Sequence, residues 1–513
     1  MNSSALEVQP LAETLPVGRI PLWLQVRHPA GDAVPGPDPQ GVRRPTLVKS
    51  GVPAVSGAER NGRDARMQIS RANRRRASTS ARTRRTRTPA LLAPCVALLI
   101  AGATLPAASP APALADPSGT PSATASAPAA DPGSPALKPI DPAALQASVE
   151  RVAQKLMVPG AMVLLRTPQG TYRATVGTTE RGSVRPPDAQ DHFRIASNTK
   201  TMTSALIMLL AQDGRLRLSD PVSQYVADVP NGANITVAEL LKMRSGLYNY
   251  TSAPELSAAL DADPGKAYTP QDVLAIAFRR PPNFAPDADY EYSNTNFALL
   301  GLVAEKAGGR PLAQQFRDRL LTPLGLAGTS LPGIHDRSLA EPYAHGYMYG
   351  GTSYALVDEP YPAALREAAE SGKLAPLDYT HQNPSYATAA GGAVSTAQDL
   401  ATWIRALVTG KILDPATQRQ WLASPQAEDP AAPDGQKYGY GIAYQDFGPK
   451  AAMYYHGGEL PGFNSFIGHD PVNDVTLIIW TNLTLSPDGR TTAQAMLPTL
   501  LNQIYTGLDL PTV

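Results

Sequence analysis

The chain has 513 residues, 43% of them hydrophobic, with 45 Lys plus Arg against 44 Asp plus Glu, 51 Pro and one Cys. That length can bury a large core, and a single Cys excludes a disulfide framework or a Cys-rich metal centre. The formal net charge of +1 hides a split: residues 1–115 carry 16 basic against 6 acidic side chains, and residues 116–513 carry 29 against 38. An acidic body excludes broad phosphate neutralisation, and nucleic acid with it.

The basic excess belongs to a leader. Arg71, Arg74, Arg75, Arg76, Arg82, Arg84, Arg85 and Arg87 precede an uncharged run from Thr88 to Ala115 that ends in Ala113-Leu114-Ala115. A positive n-region, an apolar h-region and an A-x-A site read as a secretory signal peptide, so residues 1–115 are expected to be removed on export. Pro94, Gly102 and Pro106 argue against a spanning helix, and Pro94 before Cys95 argues against lipidation. No integral membrane span is expected after cleavage. Arg84-Arg85 alone does not choose between the general and twin-arginine routes, and Met67 is an alternative start. The expected localisation is secreted, in or near the cell wall. Residues 116–140, rich in Pro, Ala, Ser and Thr, cannot offset their ordering entropy and read as a linker.

From Asp141 the pattern changes. DPAALQASVERVAQKLM has helical spacing and stops before Pro159-Gly160. AMVLLRT and YRATVGT around PQG predict two strands and a turn. The run from Phe193 to Gly214 predicts a buried helix, and from Arg215 to about Ala390 the chain reads as helices and long loops. MYYHGGEL, FNSFIGHD and VTLIIWTN predict three antiparallel strands, and TTAQAMLPTLLNQIY a closing helix. Strands at both ends and helices between them imply one sheet with a mainly helical insertion at about 215–390, within a domain spanning 141–513.

Three segments could carry chemistry. In Ser197-Asn198-Thr199-Lys200 a spacing of three brings hydroxyl and ammonium to one helical face, and a partly desolvated lysine can accept the serine proton. Of eleven lysines only Lys200 has Ser three positions earlier. Tyr292-Ser293-Asn294 offers a phenol for proton relay and an amide for orienting a substrate; by itself it reads sooner as a helix cap beside a packed Tyr. His456-Gly457-Gly458-Glu459 lies in a strand, where two glycines allow close backbone approach, consistent with an edge at a cleft.

In this order SNTK, YSN and HGG resemble the S-x-x-K, Y-x-N and K-T-G (or H-x-G) elements of the serine penicillin-binding proteins and class C β-lactamases. VPGAMV, ITVAELLKMRSGLYNYT, YEYSNTNFALLG, GGAVSTAQDLATW and YGYGIAY agree, so the resemblance covers roughly Asp141 to Tyr505. RSGLYNYT and YSNTNF are most similar to secreted D-alanyl-D-alanine carboxypeptidases. The resemblance implies a mixed α/β (α+β) fold, a mainly antiparallel sheet flanked by helices. It implies an acyl-enzyme on Ser197, with Lys200 as proton acceptor and Tyr292 as proton relay to the leaving group. Asn294, His456, Gly458 and Glu459 would bind substrate, with the N–H groups of Ser197 and Glu459 as oxyanion hole. It calls for no cofactor or metal, and makes β-lactams expected acylating ligands and peptidoglycan stem peptides the expected partner.

The departures concern specificity. Where the similar carboxypeptidases carry an Arg and two Thr around a terminal carboxylate, this chain has Ala443, Gly457 and Glu459. Losing a paired Arg costs a few kcal/mol of recognition, so an esterase, amidase or β-lactamase on the same site stands beside the carboxypeptidase reading. A non-catalytic peptidoglycan-binding protein would show damage at Ser197, Lys200 or Tyr292, and none is present. The absence of G-x-S-x-G disfavours an α/β-hydrolase esterase.

Overall fold

The computed structural model describes residues 136–513. The leader, its cleavage site, Cys95 and nearly all of the linker lie outside the described residues. Leu137 already bridges Tyr505, and the Lys138 N–H donates to the Ile504 carbonyl at 2.9 Å.

Helix α1 (Pro142–Lys155) starts where the sequence asks it to: the Asp141 carboxylate accepts from the Ala143 N–H, and Pro142 supplies a preset φ. Leu145, Val149 and Val152 form its buried stripe. Strands β1 (Gly160–Thr167) and β2 (Gly170–Gly177) make the expected hairpin. The other strands of the sheet come late in the chain: β3 (Gln426–Ala427), β4 (Lys437–Tyr438), β5 (Ala443–Gly448), β6 (Ala451–Leu460), β7 (Phe463–Asp470) and β8 (Val475–Thr481). Their order is β2-β1-β8-β7-β6-β5-β4-β3, every neighbour antiparallel. The first hairpin therefore docks on the last strand, which closes the ends of the domain into one sheet.

Every residue of β7 and β8 is buried, so both faces of the sheet centre are covered. Neighbouring side chains of β7 show which element covers which face, because successive residues point to opposite sides. Asn464 Oδ1 accepts from the Ala493 N–H of the C-terminal helix Thr492–Ile504, and Ser465 Oγ accepts from Asn198 Nδ2 beside Ser197. The nucleophile's turn and the C-terminal helix thus lie on opposite faces.

Helix α2 (Thr199–Gln212) is buried from Thr199 to Leu210 and packs against α3 (Asn294–Gly308). A Leu or Ile fully buried there contributes about 1.5–3 kcal/mol. Two sequence expectations are corrected here. The run from Phe193 is not one helix: Phe193–Arg194 pairs as a short strand with Val394–Ser395, a 3-10 turn spans Ala196–Asn198, and α2 begins only at Thr199. Helices also continue past Ala390, through Ala397–Val408 and Pro415–Leu422. Among the described residues no helix is long and apolar enough to cross a membrane.

Candidate active site

Ala196 takes a φ of +47°, a strained left-handed conformation for a residue with a Cβ, and this turns Ser197 toward a cavity of about 360 Å³. One turn on, buried Lys200 reaches back so that its Nζ lies 3.0 Å from Ser197 Oγ. The expected spacing argument holds even though the serine sits on a 3-10 turn ahead of the α-helix.

Burial pushes the Lys200 amine well below its ordinary value. Its neighbours fix what the neutral amine does. The Asn294 Oδ1 lies 2.7 Å away and the Ala390 carbonyl 2.9 Å, and both can only accept. A neutral amine has two N–H donors and one lone pair. The donors go to these two oxygens, which leaves the lone pair facing the Ser197 hydroxyl. The arrangement is a general base already aimed at its nucleophile.

Tyr292 stands on the other side of Ser197, to which its hydroxyl is hydrogen-bonded; burial raises the phenol above its ordinary value, so it stays protonated. The Lys200 Nζ lies 4.7 Å from the Tyr292 ring centroid. Ser293 holds the N-cap position of α3, but its hydroxyl donates to the Leu247 carbonyl and makes no side-chain bond to the helix it precedes. Asn294 instead works on the base. Its backbone N–H donates to Asn249 Oδ1 at 3.0 Å, its Nδ2 to Thr251 Oγ1 at 3.0 Å, and its Oδ1 accepts a hydrogen bond from Lys200 Nζ. Asn249 and Thr251 escaped the sequence reading, where they were only part of the flanking string RSGLYNYT.

Strand β6 pairs with β5 from Ala451 to Tyr455 only, while its pairing with β7 continues to Leu460. Beyond Tyr455 it is an edge along the cavity, as the two glycines foretold. His456, Gly457 and Glu459 line the cavity with Ser197, Tyr292 and Asn294. Gly458, expected to bind substrate, has its Cβ side turned to the nucleophile's turn. A Cβ on Gly458 would lie 2.3 Å from the Ile195 carbonyl oxygen, 2.6 Å from Ser465 Oγ and 2.7 Å from Asn198 Nδ2. The glycine lets β6 press against the nucleophile's turn. Gly458→Ala should therefore cost about 1–3 kcal/mol by overpacking and lower kcat by at least about tenfold through displacement of Ser197. Thermal melting and steady-state kinetics test this; unchanged activity and melting would remove the packing role.

His456 is buried and pushed down to about 3, by desolvation first and by the neighbouring Lys200 second. It is therefore neutral at working pH. Its Nδ1 lies 2.6 Å from the Gly457 carbonyl, which only accepts, so Nδ1 carries the proton and Nε2 accepts from the Tyr438 hydroxyl at 3.0 Å. The Tyr438 ring meets that of Tyr292 edge-on at 6.1 Å. The His456 ring itself lies 6.3 Å from that of Tyr292.

Comparison with known proteins agrees with this geometry. A family model described as Beta-lactamase matches residues 146–501. Penicillin-binding protein 4* of Bacillus subtilis (strain 168) is 25% identical over 346 residues, 66% of this chain and 71% of that protein. Protein flp of Staphylococcus aureus (strain N315) is 25% identical over 342 residues, 65% of this chain but only 62% of that protein. Among solved structures, a D-stereospecific amidohydrolase from Streptomyces sp. is 29% identical with a TM-score of 0.58, covering 69% of this chain and 97% of its own. The D-amino acid amidase of Ochrobactrum anthropi SV3, complexed with D-phenylalanine, is 27% identical with a TM-score of 0.60, covering 70% and 97%.

Proposed function

The chain belongs to the beta-lactamase family of serine hydrolases, and from that premise we propose that it is an exported acyl hydrolase that cuts amides of D-amino acids. The observation that carries the choice of substrate is the charge of the cavity. Its charged lining side chains are Glu291, Asp358, Glu428 and Glu459, and no Lys or Arg joins them among the described residues. Such a wall repels the terminal carboxylate that a D-alanyl-D-alanine carboxypeptidase must hold, and suits a neutral or cationic substrate. The D-stereospecificity is taken from the two solved relatives named for it.

The chemistry follows the geometry. Ser197 Oγ attacks the substrate carbonyl while its proton passes to the Lys200 amine, and the oxyanion is received by the N–H groups of Ser197 and Glu459. The C–N bond then breaks as the Tyr292 hydroxyl protonates the departing nitrogen, and the Lys200 ammonium returns a proton to Tyr292. Water enters by the same route reversed and releases the acid. β-Lactams would acylate the same Ser197. The Arg-rich leader and its A-x-A site support work outside the cytoplasm, where peptidoglycan stem peptides are the alternative substrate.

The test sets D-phenylalanine amide and D-alanine amide against an acyl-D-Ala-D-Ala peptide and a chromogenic cephalosporin. The amides should exceed the peptide by at least about tenfold in kcat/KM, the size of one lost charge contact. Faster release of D-Ala than of ammonia would return the protein to the carboxypeptidases.

A further inference from the structure

One carboxylate of the cavity has no task in the reaction just described. Glu428 follows strand β3 and is partly buried, with its backbone N–H on the Gln436 carbonyl at 3.2 Å. Its Oε1 accepts from the Tyr290 hydroxyl at 2.9 Å and from Gln436 Nε2 at 2.6 Å. Among the described residues no hydrogen bond reaches Oε2 and no Lys or Arg pairs with Glu428, although it lines the cavity that holds Ser197. A carboxylate held by two donors on one oxygen, with the other left to the cavity, is a prepared acceptor.

Its position in the cavity follows from Tyr438. That ring packs on Tyr290 at 6.0 Å, on Tyr292 at 6.1 Å and on His456 at 5.8 Å. Glu428 therefore belongs to the side of Tyr292, the proton donor to the departing nitrogen. Asn294, Asn249 and Thr251 form a separate hydrogen-bonded group on the Lys200 base. Ala443, opposite Tyr438 in the register, brings no cation to this wall.

We propose that Glu428, with the Tyr290 hydroxyl beside it, is a specificity-determining subsite for a cationic leaving group, an amine or guanidinium carried by the amide cut at Ser197. The inference rests on the acyl-hydrolase reading and adds to it the charge of the leaving group.

The pH dependence has a definite sign. Desolvation raises the Glu428 carboxyl to about 7, against the opposing pull of its bonds from Gln436 and Tyr290. Around it stand the phenols of Tyr290, Tyr292, Tyr438 and Tyr455, all pushed up by burial and so protonated, and the neutral His456. On the other side of the segment, Arg244 donates to the Ala427 carbonyl and faces Asp287 at 3.7 Å. Lys200, Glu291, Asp358 and Glu459 also adjoin the cavity and act on the charged amide, but they do so in the native protein and in Glu428→Gln alike, so the difference between the two proteins belongs to Glu428. An alkylammonium stays charged to about pH 10. Preference for it must therefore rise as pH climbs through about 7 and Glu428 ionises.

The experiment compares D-phenylalanyl amides of 1,4-diaminobutane and of n-pentylamine, equal in length and differing in charge. In the native protein the cationic amide should lead in kcat/KM by about 10-fold or more at pH 8, and the lead should shrink several-fold at pH 6. In Glu428→Gln the ratio should fall several-fold at pH 8 and lose its rise through about pH 7. A ratio near one in the native protein, or the same ratio in both proteins, overturns the proposal. The native pH profile needs no variant, so a poorly folded Glu428→Gln does not shield the idea. Calorimetric titration of both amides into Ser197→Ala reads the same preference without turnover. A preference there with no cleavage by the native protein would mean that the subsite is right and the amidase reading wrong.

Discussion

Ser197→Ala is expected to abolish covalent labelling by any acylating probe and to lower kcat by about 10⁴-fold or more, the scale of removing a nucleophile that works as one unit with its base. Ser197 is the hydroxyl that meets both the Lys200 amine, at 3.0 Å, and the Tyr292 phenol. Thr251, Ser252 and Thr491 also line the cavity. The Thr251 oxygen is engaged by Asn294 and Asn249 and the Ser252 oxygen by Asn249, so neither is poised to attack. Intact-protein mass after incubation with a penicillin or an activated ester reads the outcome directly. A mass shift that persists in Ser197→Ala would move the nucleophile to one of these hydroxyls.

Lys200→Met should slow acylation by about 10²–10⁴-fold, the usual worth of a positioned base, and leave the fold intact. Methionine occupies similar length, and the site it enters is buried beside the rings of Tyr292 and Phe297. Activity of the native protein should fall as pH drops through the lowered Lys200 value, because a protonated amine has no lone pair for the serine proton. His456 cannot produce that limb, since it stays neutral down to about 3. The linkage has the same sign for stability. A lysine buried neutral binds fewer protons than the unfolded chain over the interval between its lowered and ordinary values, so stability rises with pH there. Single-turnover kinetics across pH, with circular dichroism as control, separates the two. Near-normal acylation in Lys200→Met would remove the residue as base.

How much of this was legible without a fold differs from residue to residue. Ser197 and Lys200 share one turn, so their meeting is a matter of local spacing. Tyr292 stands just before helix α3, which Asn294 opens, and His456 and Glu459 sit in a strand-like run ahead of a Pro-Gly turn. Resemblance ordered these pieces, and the folded chain brings them to one cavity. Glycine gave a correct signal with an incomplete meaning. The close approach at Gly458 is real, and on its Cβ side the atoms it admits are the Ile195 carbonyl, Ser465 Oγ and the Asn198 amide.

The sequence by itself determined the strands at the two ends of the domain, the buried helix behind the serine and the pairing of Ser197 with Lys200, because each is written in periodicity or spacing over a few turns of chain. The roles of these residues and of Tyr292 came with the family resemblance. Only the tertiary structure decided the rest. Strands Gln426–Ala427 and Lys437–Tyr438 are two residues long and owe their state to neighbours across the sheet. Strand β6 becomes an edge at His456 because its partner β5 begins at Ala443, a matter of register and not of composition. The lowered Lys200, the neutral His456 and the raised Glu428 all follow first from desolvation, at a site where segments more than a hundred residues apart meet, as Ala390 does Lys200 and Tyr290 does Glu428. Burial is a property of the assembled chain, and so the protonation state of each group at this site could be read only once the chain had folded around it.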